Sequence, residues 1–231
     1  MRCTGASSVW AGIALALLAV GCRGFPRPAP RSGTLWGYAT LERREGVKPT
    51  HKHDPVYKDP RFANVETVDY GKPGFMLVYL EGPPSPAGTT VFAIGDAREG
   101  FDRKSDVVGV GGEIVLTNVG SRRRVVSCPD AGLLEAIEPS HELRIAASKV
   151  GAWEVSLVDS PVDSTLVFVS PGPFTIVSES GLWALRDVSP ARGTIHVWHP
   201  RLPGTSRPVE VLEGVVTRAD LVVSVDNLRS E

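Results

Sequence analysis

The stretch from Phe174 to Pro200, FTIVSESGLWALRDVSPARGTIHVWHP, decides the fold class. Apolar and polar residues alternate from Phe174 to Glu179, which is typical of a strand. Ser180-Gly181 predicts a turn, and a second apolar run follows from Leu182 to Val188. A loop rich in Pro and Gly then precedes a third strand at Thr194 to Trp198. The pattern predicts an antiparallel meander in an all-β protein.

The same stretch resembles the carboxypeptidase regulatory-like (transthyretin-like) domain. The positions that match the family's pattern are Ser178, Gly181, Trp183, Leu185, Val188, Pro190, Gly193 and Ile195. The chain departs from the pattern at the turn, where Glu179 replaces Asp, and at Ile195, which replaces Tyr. The resemblance implies an antiparallel β-sandwich.

The composition agrees with short strands joined by many turns. The 231 residues are 42% apolar and include 24 Gly and 19 Pro. One segment, Leu133 to Glu138, is expected to form a single helical turn. The formal net charge is −1, which gives no electrostatic argument for a nucleic-acid partner, and we expect none.

The amino terminus has the features of a secretory signal. Arg2 precedes an apolar run from Val9 to Val20, which is too short to span a bilayer as a mature helix. Ala19-Val20-Gly21-Cys22 resembles a bacterial lipobox, which implies removal of residues 1–22 as a signal peptide, with Cys22 lipidated as the new first residue. An ordinary signal peptide with an incidental Cys is the alternative.

Residue 23 bears on the expected location of the lipoprotein, and the segment after it on how the protein is attached. Arg23, rather than Asp, follows Cys22, which by resemblance to Gram-negative lipoproteins favours the outer membrane, with the protein facing the periplasm. Residues 23–33 are rich in Pro and predict an extended tether.

A second resemblance, to cupredoxins, covers Asp106 to Val169. Its first part rests on Val108, Val110, Gly111, Ile114, Leu116 and Asn118. Its second part rests on Gly151, Trp153, Val155 and Leu157. The resemblance implies a second antiparallel β-sandwich with Greek-key connections.

The copper ligands of that family are missing at the matching positions. A blue-copper site needs two His, a Cys thiolate and a weak axial Met. Leu157, Ser160 and Asp163 stand where the last three ligands belong, and Arg124 or Val125 stands at the upstream His. We therefore expect a degenerate cupredoxin-like sandwich without copper, and no cofactor.

These resemblances predict two sandwiches with one nested in the other. Residues 34–97 and 171–228 are assigned to a discontinuous carboxypeptidase regulatory-like sandwich, and residues 98–170 to a cupredoxin-like insert. Two sandwiches in series remain the alternative.

Other metal-binding patterns are weak. His51, His53 and Asp54 lie in a long polar loop and offer few ligands for a site. A copper-binding electron carrier with relocated ligands is the alternative function, and its ligands would be His51, His53, His141 and Cys128. With Cys22 lipidated, Cys128 has no partner for a disulfide and is expected to be a buried small residue.

The sequence contains no motif of a known catalytic site, so we expect a protein that is not an enzyme. The expected function is a lipid-anchored envelope protein with a binding or structural role, with a protein or a glycan as partner. Glycans bind to exposed aromatic side chains, for which the candidates are Trp36, Tyr38, Trp183 and Trp198.

Overall fold

A computed structural model describes residues 29, 31–43, 70–72, 74–96 and 99–224, without the side chains of residues 161 and 162. Within these ranges the chain forms sixteen β-strands, and its one helical segment is a 3-10 turn at Pro129–Ala131. The prediction of an all-β sandwich fold is confirmed, with most of the described strand pairs antiparallel and four of them parallel. No helix in the described ranges is long and apolar enough to cross a membrane.

Eight strands from the two ends of the described chain form the first sandwich. They are β1 (Gly33–Glu42), β2 (Leu77–Glu81), β11 (Phe174–Ile176), β12 (Leu182–Val188), β13 (Ala191–Trp198), β14 (Thr205–Val211), β15 (Val216–Arg218) and β16 (Leu221–Ser224). One sheet has the order β12-β1-β15, with β16 also paired to β1, and the other has the order β11-β2-β13-β14.

The eight strands between them form the second sandwich. They are β3 (Thr89–Ile94), β4 (Ser105–Gly109), β5 (Glu113–Asn118), β6 (Arg124–Cys128), β7 (Leu133–Ile137), β8 (Glu142–Ala146), β9 (Gly151–Leu157) and β10 (Ser160–Ser170). Their sheets have the orders β3-β5-β8 and β4-β10-β9-β6-β7.

Each sandwich encloses its own core, built from the inward positions of alternating strands. In the first, Leu35 and Trp183 are buried among other apolar side chains. In the second, Phe92 and Trp153 are buried in the same way. Burial of apolar surface on this scale is the main stabilising contribution to either half.

A third, smaller cluster joins the two sandwiches. Leu77 of β2 is buried with Val107 and Phe168 of the second sandwich. The rings of Phe168 and Trp198 lie 4.9 Å apart, and those of Phe168 and Tyr79 lie 5.3 Å apart. The outer face of one sheet in each sandwich is therefore covered by the other sandwich at this point.

The predicted meander at Phe174 to Pro200 is wrong. The strands begin and end close to the predicted positions, but β11 and β13 both pair with β2, whereas β12 pairs with β1 in the opposite sheet. The chain crosses the core at Val177, which is buried, instead of turning back beside β11. Alternation specifies which residues face inward, and it does not specify which strand lies alongside.

Two further expectations need correction. Residues 133–137 form strand β7, not a helical turn, and pair with β6. Strand β3, which the boundary at residue 98 places in the first sandwich, pairs with β5 in the second. The chain therefore changes sandwich within the Pro- and Gly-rich residues 82–88, which form no strand.

Candidate functional site

The outer face of β1 carries two aromatic side chains. Leu35 and Ala39 point into the core, so Trp36 and Tyr38 lie on the opposite face of the sheet. Trp36 is half-buried, and 39% of Tyr38 is exposed. Their ring centroids are 6.4 Å apart at an interplanar angle of 67°. Together they form an aromatic pair on an open face of the sheet.

Arg218 lies close to this pair. Strand β15 runs parallel to β1 and places Arg218 beside Trp36. The guanidinium carbon lies 5.3 Å from the Trp36 ring centroid and 5.9 Å from that of Tyr38, within the range of cation–π attraction. We call Trp36, Tyr38, Arg218 and Asp220 the β1 platform.

Asp220 fixes the arginine. Its carboxylate accepts bonds from Arg218 Nε at 3.2 Å and from Nη2 at 2.9 Å, in the paired geometry that arginine and carboxylate favour. The same carboxylate accepts the Tyr38 backbone N–H at 2.9 Å. The pKa of Asp220 is lowered, first by the hydrogen bond from Arg218 and then by the one from Tyr38. The carboxylate is therefore ionised at neutral pH.

A gap in the parallel ladder makes room for Asp220. Strand β15 pairs with β1 up to Trp36, and β16 resumes the pairing at Ala39. Between them the Asp220 side chain replaces a backbone acceptor, while the Ala219 N–H donates to the Trp36 carbonyl at 2.7 Å. The segment around Ala219 lies so close to β1 here that a Cβ on Gly37 would be 2.2 Å from the Ala219 carbonyl oxygen.

The platform is amphipathic. Val216 and Val222 lie on the same face and are 38% and 39% exposed. Arg207 donates to the Asp220 backbone carbonyl at 3.4 Å, which adds a second positive charge. Rings stack on C–H surfaces, and the arginine and carboxylate bond to hydroxyl groups, so this arrangement suits a sugar ring.

The two other predicted aromatic residues lie elsewhere. Trp183 is 2% exposed and fills the first core opposite Gly37, so its proposed place on a binding surface is wrong. Trp198 is half-buried at the contact between the sandwiches, against Phe75 and Phe168. Of the four candidates, the structure brings only Trp36 and Tyr38 together on an open face.

Sequence reasoning missed Arg218 and Asp220. Arg218 and Asp220 lie close together in the sequence. Tyr38, whose backbone N–H donates a hydrogen bond to Asp220, is 182 residues away. Only the parallel pairing of the last strands with β1 brings these residues to the aromatic pair.

The positions that match the copper loop have other roles here. Leu157 is fully buried in the second core. The Ser160 hydroxyl donates to Asp163 at 2.9 Å, and Lys104 lies 3.5 Å from the same carboxylate. In the described ranges no group of three or more His, Cys, Asp or Glu side chains is placed to hold a metal ion.

Arg124, at the position of the upstream ligand, is 1% exposed. Its Nη1 donates to the Gly95 carbonyl at 2.7 Å, and its Nε lies 2.8 Å from the Asp159 carboxylate. The second sandwich thus places a guanidinium where three segments meet at one end of its core.

Two ligands of the copper alternative, Cys128 and His141, lie within the described residues. Cys128 is fully buried in the second core, and burial raises the pKa of its thiol. His141 is exposed, with Nδ1 2.9 Å from the Pro139 carbonyl. Cys22, His51, His53 and Asp54 lie outside the described residues, so the predictions made for them stand as predictions.

The chain matches no protein family and no curated protein. Among solved structures it is similar to a purple cupredoxin from Nitrosopumilus maritimus, at 15% identity and a TM-score of 0.31, over 35% of this chain and 99% of that one. It is also similar to the copper(I) form of an amicyanin variant, at 16% identity and a TM-score of 0.32, over 40% of this chain and 98% of that one. A likeness at this level does not transfer a function or a metal site.

Proposed function

We propose that this protein is a lipid-anchored, non-catalytic β-sandwich protein of the bacterial cell envelope, and that it binds a glycan through the β1 platform. The observation that carries the proposal is the pair Trp36 and Tyr38 on the outer face of the sheet, with Arg218 held within cation–π distance of both rings. The envelope location rests on the lipobox-like sequence at Cys22.

The platform supports binding rather than catalysis. The Asp220 carboxylate is exposed, and its bonds from Arg218 and from the Tyr38 N–H lower its pKa, away from the range of a general acid or base. A surface that is ordered by its own hydrogen bonds needs little rearrangement on binding, which favours affinity. A protein partner is the other ligand class for an amphipathic face of this kind.

The experiment is a glycan array that includes peptidoglycan fragments, probed with the wild-type protein and four variants. We expect Trp36→Ala and Tyr38→Ala each to weaken binding about tenfold or more, because an aromatic contact contributes on the order of 1 kcal/mol beyond its buried area. Tyr38→Phe keeps the ring and should bind nearly as well. Val91→Ala, at an exposed site on the second sandwich, should have no effect.

Two outcomes would contradict the proposal. If the array and a pull-down from envelope fractions both gave no ligand, the binding role would be abandoned. If a glycan bound equally well to wild type and Trp36→Ala, the platform would not be its site.

A further inference from the structure

We propose that the free edge of β11 binds an extended peptide segment carrying a basic side chain, by strand addition in the groove between the two sandwiches. This inference concerns a different site and ligand class from the β1 platform and does not depend on it.

The pairing of β11 with β2 leaves its outer edge without partners among the described strands. Antiparallel pairs alternate between hydrogen-bonded and non-bonded positions. The Leu80 N–H donates to the Pro173 carbonyl and the Val177 N–H to the Met76 carbonyl, both at 2.9 Å, which marks residues 173, 175 and 177 as the bonded positions. The N–H and C=O groups of Phe174 and Ile176 therefore point away from β2.

These four groups lie at the end of the sheet. Strand β11 is the last in the order β11-β2-β13-β14, so no described strand lies beyond it. The one contact that the described residues make with these groups is a long bond of 3.5 Å from the Thr175 hydroxyl to the Ile176 carbonyl. A row of alternating N–H donors and C=O acceptors along a strand edge is paired best by the main chain of another extended segment.

Three other sheet edges carry features that hinder pairing, and β11 does not. On β4 the Asp106 carboxylate accepts the Val107 N–H at 2.8 Å. On β3 the Arg103 guanidinium donates to the Val91 carbonyl. Strand β14 contains Pro208, which has no N–H. Such features protect sheet edges from unwanted pairing, and β11, with the sequence FTI, has neither a charge nor a proline.

The groove beside β11 has room for a peptide and contains one carboxylate. Its volume is about 500 Å³, and the strands β3, β4 and β11 contribute to its lining. Asp106 is the one charged side chain in that lining. Its carboxylate is bonded by Thr90, Arg103 and the Val107 N–H, and a carboxylate accepts about four bonds, which leaves capacity for one more donor. A lysine or arginine of the bound segment would supply it.

The test is selection of a phage-displayed random heptapeptide library on the folded protein, followed by affinity measurements with the enriched synthetic peptides. Ile176→Pro removes an N–H on the free edge without breaking a bond to β2, and Ile176→Thr changes the same side chain while keeping the N–H. We expect enriched peptides to contain Lys or Arg and to bind Ile176→Pro about tenfold or more weakly, with Ile176→Thr within about threefold of wild type.

Two measurements keep the result independent of folding. Peptides with N-methylated backbones should lose affinity for the unaltered protein, because they lack the donors that strand addition needs. Amide hydrogen exchange should slow at Phe174 and Ile176 when the peptide binds.

Two variants test the charge and the separation of the sites. Asp106→Asn should weaken the binding of the basic peptides selectively. Ile176→Pro should leave glycan binding at the β1 platform unchanged.

The proposal would be overturned by selection that enriches no peptide, or by peptides that bind wild type and Ile176→Pro equally. It would also be overturned by equal losses in Ile176→Pro and Ile176→Thr, because the side chain and not the main chain would then provide the affinity.

Discussion

His199 is the clearest case of one side chain that makes stability depend on pH. It is 8% exposed, and its Nδ1 accepts the backbone N–H groups of Arg201 at 3.0 Å and Leu202 at 3.1 Å. Burial lowers the pKa of His199. A protonated ring has no acceptor at Nδ1, so protonation breaks both bonds.

The pH dependence has a definite direction. The unfolded-state pKa is about 6.5, and the folded-state pKa lies below it, so the unfolded state binds the proton first as the pH falls. The contribution of His199 is complete above about pH 6.5 and decreases between that pH and the lower folded-state pKa.

His199→Asn should remove this part of the acid sensitivity. The amide oxygen can accept the same two N–H groups and does not titrate. We expect urea unfolding at pH 8 to give a free energy within about 1 kcal/mol of wild type, and the loss of stability on lowering the pH to about 5 to be smaller than in wild type. His141→Asn, at an exposed site, should keep the wild-type response. A His199→Asn variant as acid-sensitive as wild type would disprove the role of His199.

Gly37 lies where two chain segments approach so closely that a residue without a Cβ is required. A Cβ there would meet the Ala219 carbonyl oxygen at 2.2 Å and the Asp220 nitrogen at 3.1 Å. Backbone must move to relieve the first contact, so Gly37→Ala should lower the free energy of unfolding by about 1–3 kcal/mol. Gly88→Ala, where no heavy atom lies within 4 Å of the added carbon, is the matched control and should be near neutral. Equal urea midpoints for the two variants would contradict this account.

At the scale of the elements, the alternation of apolar and polar residues predicts where the strands lie, but it does not predict which strands pair with each other. The alternation of Leu143 with Ile145, and of Trp153 with Val155 and Leu157, is typical of strands, and the structure forms β8 and β9 at these positions. The parallel pairing of β15 and β16 with β1 joins distant parts of the chain, 182 residues apart at the bond from Tyr38 to Asp220, and leaves no local signal. Strand β7 was missed because only Ile137 in it is fully buried, so the edge strand lacks the alternation of a half-buried one.

The same limit applies to the site. Trp36 and Trp183 are the same residue type, and both lie on strands. In the register of β1 against β12, Trp183 is opposite Gly37 and points inward, whereas Trp36 is opposite Ala184 and points outward. Three consecutive arginines, as at residues 122–124, are typical of a solvated loop. Arg124 is instead buried, because β6 turns alternate residues into the core and the third of the three falls on an inward position.

Arg124 ties together three elements of the second sandwich. It links the start of β6 to the Gly95 carbonyl after β3 and to Asp159 between β9 and β10. Arg124→Met fills the space but leaves the buried Gly95 carbonyl without this donor, which should cost about 1–3 kcal/mol. The neighbouring Arg123 is 64% exposed and forms an ion pair with an exposed Glu138, so Arg123→Met should change stability by less than about 1 kcal/mol. Chemical unfolding of both variants tests this contrast, which equal losses would refute.

At the scale of the whole molecule, the β1 platform lies close in sequence to the proposed anchor. Strand β1 begins at Gly33, and Trp36 follows within its first few residues. The tether predicted over residues 23–33 is shorter than expected, because the Ala29 N–H and the Ser32 hydroxyl both donate to Asp187 of the first sandwich and Gly33 already belongs to β1. The Pro-rich residues that remain between Cys22 and Ala29 would reach roughly 20 Å when extended. A lipid on Cys22 would therefore keep the platform near the membrane surface and present it to ligands within that distance.

Cys22→Ser tests the anchor. Acyl chains hold a protein in a bilayer because each buried CH₂ contributes about 0.8 kcal/mol, and several chains together give lasting attachment. The Ser variant lacks this contribution and keeps only basic groups such as Arg23, Arg27 and Arg31, each worth about 1 kcal/mol near an anionic surface and screened by salt.

We expect wild type to stay with membranes through a salt wash and to have an acylated amino terminus by mass spectrometry. The Ser variant should be unprocessed or released by salt, with strands β1 to β16 folded as before. A processed Ser variant that resists the wash, or a wild-type terminus without acyl mass, would rule out the lipoprotein assignment.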